Sequence, residues 1–141
     1  MTHPIERLMD RYSDAWNRHD IDGILALHTE DSVFENHTSG GKSEGHAAIR
    51  TMLQGIFATF PDLRFEARHR SVSEGLAIIA WTASATFTCP ITRAGRTYSP
   101  TGKRLVWNGL DVIPIRDGRV LRKDVYVDSE SFERQLAAAA A

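Results

Sequence analysis

The side chains able to do chemistry in this 141-residue chain are few and far apart: Tyr12, Asn36, Asp111 and Lys123, accompanied by three tryptophans, Trp16, Trp81 and Trp107. An aspartate surrounded by indole rings is held toward its neutral acid form, ready to donate a hydrogen bond or a proton. A lysine across a hairpin would instead keep it ionised, and Lys123 lies at about the right distance along the chain for that. Both readings of Asp111 stand at this point. Tyr12 offers a phenol donor to a ligand, or is a core aromatic whose hydroxyl takes whatever partner is nearby. Asn36 could orient a ligand or a water, or satisfy the backbone of the loop that follows it.

Three histidines could serve as a base, because an unperturbed imidazole titrates near the working range. His37 and His46 flank the polar loop Thr38–Gly45, and His69 falls on the apolar face of its segment. Each also reads as a rim or core histidine. No histidine pair has metal-ligand spacing backed by a carboxylate, so no metal is expected, and no motif calls for a cofactor. Cys89 is the single cysteine, which rules out an internal disulfide and points to the cytoplasm. Glu35, Asp62 and the basic set Arg64, Arg68 and Arg70 read as solvated or capping residues.

Composition narrows the partners. With 42% hydrophobic and 25% charged residues and a formal net charge of -1, the chain is globular and carries no surface suited to nucleic acid or to an acidic membrane. No apolar run approaches a membrane span, and the first residues lack the apolar stretch of a signal peptide, so a soluble, unprocessed protein is expected. The partner expected is a hydrophobic small molecule.

Periodicity then supplies the elements that must position those residues. Ile5, Leu8, Met9, Tyr12, Ala15 and Trp16 recur at helical spacing from Pro4 to about Arg18, behind Thr2 as N-cap. A short helix follows from Asp20 as N-cap to Leu27, ended by a turn at Thr29–Asp31. Ser32–His37 reads as a strand, and His46–Phe60 as a helix with Ile49, Met52, Leu53, Ile56 and Phe57 on one face, stopped by Pro61. Alternation then takes over: Leu63, Phe65, Ala67 and His69 on one face of a strand, then strands at Leu76–Thr88, Leu105–Ile115 and Val120–Asp128. Cys89–Lys103 reads as a long loop, and Ala137–Ala141 as a frayed helix end. At the Asp117-Gly118 hairpin a three-residue turn would set Asp111 opposite Lys123, avoiding the like-charge Asp111/Asp124 pairing of a two-residue turn. That register puts Trp107, Gly109, Asp111, Ile113, Leu121, Lys123, Val125 and Val127 on the pocket face. Helices first and antiparallel strands after make an α+β fold, one domain over residues 1–141 with a curved antiparallel sheet packed on the N-terminal helices. The second sheet face stays apolar at Val106, Leu110, Val112, Val120 and Tyr126, as a homodimer through the sheet would require.

The segments RYSDAWNRHDIDGILALHTEDSVFEN, GHAAIR and DGRVLRKDVYVDSESFERQL resemble the nuclear-transport-factor-two-like superfamily, especially its SnoaL-like, ketosteroid-isomerase-like and limonene-epoxide-hydrolase-like branches. The resemblance runs along nearly the whole chain. It implies a conical barrel, a cystatin-like α+β roll, often dimeric, with a pocket between the helices and the concave face of the sheet. Tyr12 and Asp111 match in position the two oxyanion donors of the isomerases, whose neutral carboxyl is a known case of burial setting protonation. The isomerase base position is Asn36, and a carboxamide takes no proton at neutral pH. The hydrolase Asp-Arg-Asp set falls on Ala83, Trp81 and Val125, and its tyrosine on Phe34, which disfavours epoxide hydrolysis. The cyclase acid/base aspartate also falls on Val125, with Asp124 and Asp128 on the opposite face unless a bulge turns Asp124 inward.

The resulting expectation is a cofactor-free proton-transfer isomerase, cyclase or dehydratase acting on a cyclic or polyketide-like substrate. Tyr12, Asp111 and Asn36 form its catalytic set, and Trp16, Phe34, Met52, Trp81, Trp107, Lys123 and Val125 bind the ligand. The base stays unassigned among His37, Asp124 and a bound water. The rival readings are a non-catalytic binder of an apolar ligand and an accessory protein whose cavity is filled by its own side chains.

Overall fold

The fold is seen in a computed structural model that describes residues 3–139. Helix α1 (Pro4–Asn17) buries Ile5, Leu8, Met9, Tyr12, Ala15 and Trp16, the stripe that 3.6-residue periodicity requires. Its N-cap is His3, whose Nδ1 accepts from the Ile5 N–H at 3.1 Å; the expected cap Thr2 lies outside the described residues. Helix α2 (Ile21–Ala26) is capped by Asp20, which accepts from Gly23 N–H at 2.9 Å. Strand β1 (His28–Asn36) follows at once, so Thr29–Asp31 is strand rather than the expected turn. Short β2 (Lys42–Glu44) lies inside the expected loop, and α3 (Gly45–Thr59) ends just before Pro61.

Strands β3 (Arg64–Val72), β4 (Leu76–Thr86), β7 (Arg104–Arg116) and β8 (Arg119–Val127) complete the main sheet, ordered β2-β1-β8-β7-β4-β3. The sheet is mixed rather than wholly antiparallel: the chain leaves β1 through α3 and returns three strands later, so β8 meets β1 in parallel. The expected loop 89–103 carries a two-strand hairpin, β5 (Ile91–Arg93) and β6 (Arg96–Tyr98), turning through Ala94 (φ 50°) and Gly95 (φ 76°). Helix α4 (Ser129–Ala139) closes the open end of the sheet and buries Phe132 and Leu136; of the expected frayed end, Ala140 and Ala141 lie outside the described residues.

Two bulges overturn the expected registers. The β7–β8 turn is the two-residue one, with Asp117 (φ 52°) and Gly118 (φ 72°) both left-handed and Arg116 opposite Arg119. Between Ile115/Val120 and Val112/Asp124, β8 gains one residue, so Asp111 faces Val125 rather than Lys123. The extra residue also moves two side chains: Val120, expected on the outer face, is buried and Leu121 leaves the pocket side, while Lys123 and Val125 point inward as expected. A bulge in β3 between Ala67 and His69 likewise turns His69 to solvent, off the apolar face assigned to it. No described helix is long and apolar enough to cross a membrane.

Candidate active-site cavity

Between the helices and the inner face of the sheet lies a cavity of about 200 Å3, larger than the ~150 Å3 void that holds a benzene ring. Trp16, Phe34, Asn36, Trp81, Trp107, Asp111, Lys123 and Val125 line it, with Ile56, Phe60, Leu63, Phe65, Arg93, Val127 and Phe132. Met52, expected in the lining, is half-buried against the core one helical turn from Ile56 and does not reach it.

Each wall residue is placed by an identifiable neighbour. Trp81 lies flat across β7 because position 109 is glycine: a Cβ there would stand 2.3 Å from the Trp81 ring. Phe65 meets Trp81 edge-on at 5.0 Å and Trp16 at 5.6 Å. Asn17 clamps that corner, donating to Phe65 O at 3.1 Å and accepting from Phe65 N–H at 2.8 Å, which fixes the end of α1 on β3. At the far end Trp107 packs against Phe132 (4.9 Å) and Phe60 (5.5 Å), while the Arg93 guanidinium lies 5.0 Å over Phe132. Phe60, Phe65, Arg93 and Phe132 carry no local signal of a site, because the curvature of the sheet and the packing of α4 and the 89–103 segment bring them over the cavity.

Lys123 and Asp111 form the polar floor. Lys123 Nζ stands 3.4 Å from Asp111 Oδ2, and both side chains are almost wholly buried, at 6% and 8% exposure. Four rings surround the same nitrogen: Trp16 at 3.7 Å, Tyr12 at 5.3 Å, Phe34 at 5.4 Å and Phe65 at 5.9 Å from their centroids. Burial pushes the Asp111 carboxyl up; Lys123 and the Trp81 indole N–H, close by but outside hydrogen-bond geometry, act the other way. Burial pushes the Lys123 ammonium down, against the pull of Asp111. Low dielectric therefore drives both partners toward neutral forms, and the pair is poised to share one proton. Trp16 Nε1, Trp81 Nε1 and Asp111 Oδ1 are buried without hydrogen-bond partners. Three orphaned polar atoms on residues lining one cavity suit a ligand that brings its own polar group.

The other expected site residues are engaged elsewhere. The Tyr12 hydroxyl meets His28 Nε2 at 2.8 Å, and His28 Nδ1 meets Ser32 Oγ at 3.1 Å, a buried chain with no sequence signal because His28 falls between the expected helix and the expected turn. Burial raises the Tyr12 phenol pKa and holds His28 down at about 3, the latter assisted by the charges of Lys123 and His46. Tyr12 borders not the first cavity but a second one, of about 290 Å3, which shares Trp16, Phe65, Trp81, Asp111 and Lys123 with it and continues toward α1 and β3. Asn36 lines the first cavity, yet its Oδ1 accepts from Thr38 N–H (3.0 Å) and Ser39 N–H (3.1 Å), closing the loop.

His37 and Asp124, expected as base candidates, lie on the outer face of the sheet. They pair at 2.8 Å, with His37 stacked on Tyr126 and Arg122 bridging Asp124 (2.8 Å) and Glu35 (2.9 Å). Hydrogen bonds from Arg122 and His37 depress the Asp124 pKa, and the two carboxylates raise that of Arg122. The fold thus brings Glu35, His37 and Asp124 within 4.8 Å, a His–carboxylate grouping that sequence spacing had not offered. The Arg122 guanidinium already occupies both carboxylates, which disfavours a cation there. His46 Nε2 contacts the carbonyls of His28 (3.2 Å) and Thr29 (3.0 Å), a structural role.

The chain matches the SnoaL-like domain over residues 9–123. It is a member of the SnoaL-like family. The mixed sheet curved over three N-terminal helices is the cone of the nuclear-transport-factor-two-like fold. A protein from Jannaschia sp. CCS1, described as a SnoaL-like polyketide cyclase, superposes with a TM-score of 0.82 at 17% identity, covering 96% of this chain and 92% of that one. IdmH from Streptomyces antibioticus, described as a polyketide cyclase, gives 0.78 at 21% identity over 96% and 99%. AclR from Streptomyces galilaeus, described as a hydroxylase, gives 0.77 at 23% identity over 94% and 83%. Such identities establish shared fold and leave chemistry to the site. No curated protein matches in sequence.

Proposed function

We propose that this SnoaL-like protein is a cofactor-independent enzyme that binds a hydrophobic cyclic or polyketide-like ketone and moves a proton at the Asp111–Lys123 pair, in an isomerisation, cyclisation or dehydration. The observation that carries the reading is the buried pair on the floor of the aromatic cavity beside three unpartnered polar atoms. A substrate carbonyl seated there accepts a hydrogen bond from protonated Asp111, and the Trp16 or Trp81 N–H can complete the oxyanion site. The neutral Lys123 amine then stands as the base that sequence left unassigned, with His37 and Asp124 on the wrong side of the sheet. Tyr12 holds the wall of the site through His28, and Asn36 shapes its rim. The family and the cyclase descriptions of its structural neighbours agree with this class of chemistry.

The test needs no knowledge of the natural substrate. Deuterium exchange into the α-position of a cyclic aryl ketone, followed by NMR, should be accelerated by the wild-type protein and slowed about 10²–10³-fold in Asp111→Asn and in Lys123→Met. Near-wild-type exchange in both variants would sink the reading. A non-catalytic binder is the second reading, favoured by the prior engagement of the Tyr12 hydroxyl and the Asn36 carboxamide. It gives saturable tryptophan quenching by the same ketone with no exchange. The outer sheet face, with Ile78, Val106 and Tyr126 exposed, supports a homodimer.

A further inference from the structure

The chain contains three lysines, and they differ sharply in surroundings. Lys42 and Lys103 are exposed, whereas Lys123 is sealed among Trp16, Tyr12, Phe34 and Phe65 with Asp111 as its ionic partner. An ammonium needed only to neutralise Asp111 would have no reason to lie on the wall of a cavity, yet Lys123 lines both the cavity of about 200 Å3 and the second one of about 290 Å3. A flexible amine with a carboxyl 3.4 Å away and space on two sides is the arrangement that carbonyl capture needs: a nucleophile, an adjacent acid, and a way out for water.

We propose that Lys123 captures a carbonyl group of the substrate as an iminium or enamine, with Asp111 relaying the protons, and that the substrate class is therefore a hydrophobic β-dicarbonyl compound. The Nζ lone pair forms a C–N bond to the carbonyl carbon while the C–O π bond breaks and Asp111 protonates the oxygen, giving a carbinolamine. That hydroxyl leaves as water with a proton returned from nitrogen through Asp111, and the iminium loses its acidic α-proton to the Asp111 carboxylate to give the enamine. Amine plus ketone becomes enamine plus water, with no change of oxidation state. The second cavity, bordered by Ser13, Asn17, Glu66 and Arg70, gives the water a polar exit that the aromatic first cavity lacks. A β-dicarbonyl fits because its second oxygen can take the unpartnered Trp16 or Trp81 N–H while the first reacts. Desolvation of Lys123 acts in the same sense, since only the neutral amine attacks.

This rests on the ketone-binding reading of the cavity, with Lys123 as nucleophile and Asp111 in its place as the base, and the experiment separates the two. Wild-type protein is incubated at pH 7 with benzoylacetone, whose lysine adduct is a stable, ultraviolet-absorbing enaminone, and the three lysines are compared by peptide mass mapping. Binding is followed in parallel by tryptophan fluorescence. Burial holds the Lys123 amine toward its reactive neutral form and the cavity brings the ketone to it, so labelling should concentrate at Lys123 over the exposed Lys42 and Lys103. In Lys123→Arg the enaminone band should be absent. Quenching with no adduct at Lys123, or equal labelling of all three lysines, overturns carbonyl capture and leaves the binding reading intact. Neither quenching nor adduct overturns both. The mapping uses the wild-type chain, so poor folding of a variant cannot decide it.

Discussion

At the scale of single residues, burial decides which ionisable groups matter. His28 is 1% exposed and bonded to Tyr12 and Ser32, and its pKa is lowered from 6.5 to about 3 by desolvation, with Lys123 and His46 adding to the effect. Below about pH 6.5 the unfolded chain's imidazole takes up a proton that the folded one refuses until about pH 3, so stability falls as pH falls across that window. The expected slope is about 1.4 kcal/mol per pH unit, and urea midpoints of His28→Gln between pH 6.5 and 4.5 should be flatter than wild type by about that amount. A parallel pair of curves would show that His28 is not the group responsible. Tyr12→Phe keeps the ring beside Lys123 but strands His28 Nε2, so it should cost about 1–3 kcal/mol in stability. Its exchange rate should fall far less than that of Asp111→Asn. Periodicity put Tyr12 and Asp111 on inward faces, and the resemblance to the isomerases matched both to oxyanion donors. Neither could reveal that the Tyr12 hydroxyl had a partner, because His28 is sixteen positions away and joins it only through the β1 register.

At the scale of elements, side-chain faces were readable wherever a strand kept an unbroken period of two and were misread on one side of each bulge. The pattern on β7, with Trp107, Asp111 and Ile113 buried, is regular from end to end. On β8 one extra residue after Val120 turns Val120 inward and Leu121 out, while Lys123 and Val125 keep the expected pocket face in a register shifted against β7. Turn chemistry at Asp117-Gly118 fixes the turn, and nothing local announces a bulge four residues later. The crossing of Trp81 over Gly109 is the other contact invisible in pattern. Gly109→Ala would force the ring away, costing about 1–3 kcal/mol by overpacking and opening the wall behind Asp111. Ketone-induced quenching should weaken in this variant although no charged group is changed. Unaltered quenching and an unaltered urea midpoint would mean that the Trp81 ring does not need that space.

At the scale of the whole molecule, the sheet has one face committed to the cavity and another still apolar. Ile78, Val106 and Tyr126 are 37%, 42% and 45% exposed there, spread along β4, β7 and β8 with the half-buried Leu110 and Val112 between them. Edge-to-edge pairing is the weaker way to cover it: the edge strand β3 is exposed along most of its length, carries Arg64, Glu66, Arg68 and Arg70, and is bulged, all of which block strand addition. In the proposed dimer, face-to-face packing on β4, β7 and β8 would instead cover the three apolar side chains and leave the Glu35, Arg122 and Asp124 network to its polar rim. A standard interface covers about 800 Å2 per partner, and an isologous contact presents the same patch twice. Charges introduced on this face of the proposed dimer, Val106→Lys with Tyr126→Lys, are therefore doubled by symmetry and should shift the sedimentation coefficient from dimer to monomer. The cavity residues face the opposite side of the sheet, so the dissociated variant should exchange α-protons at the wild-type rate. Sedimentation of the wild type as a single chain at every concentration would remove the dimer and leave that apolar face without its assigned occupant.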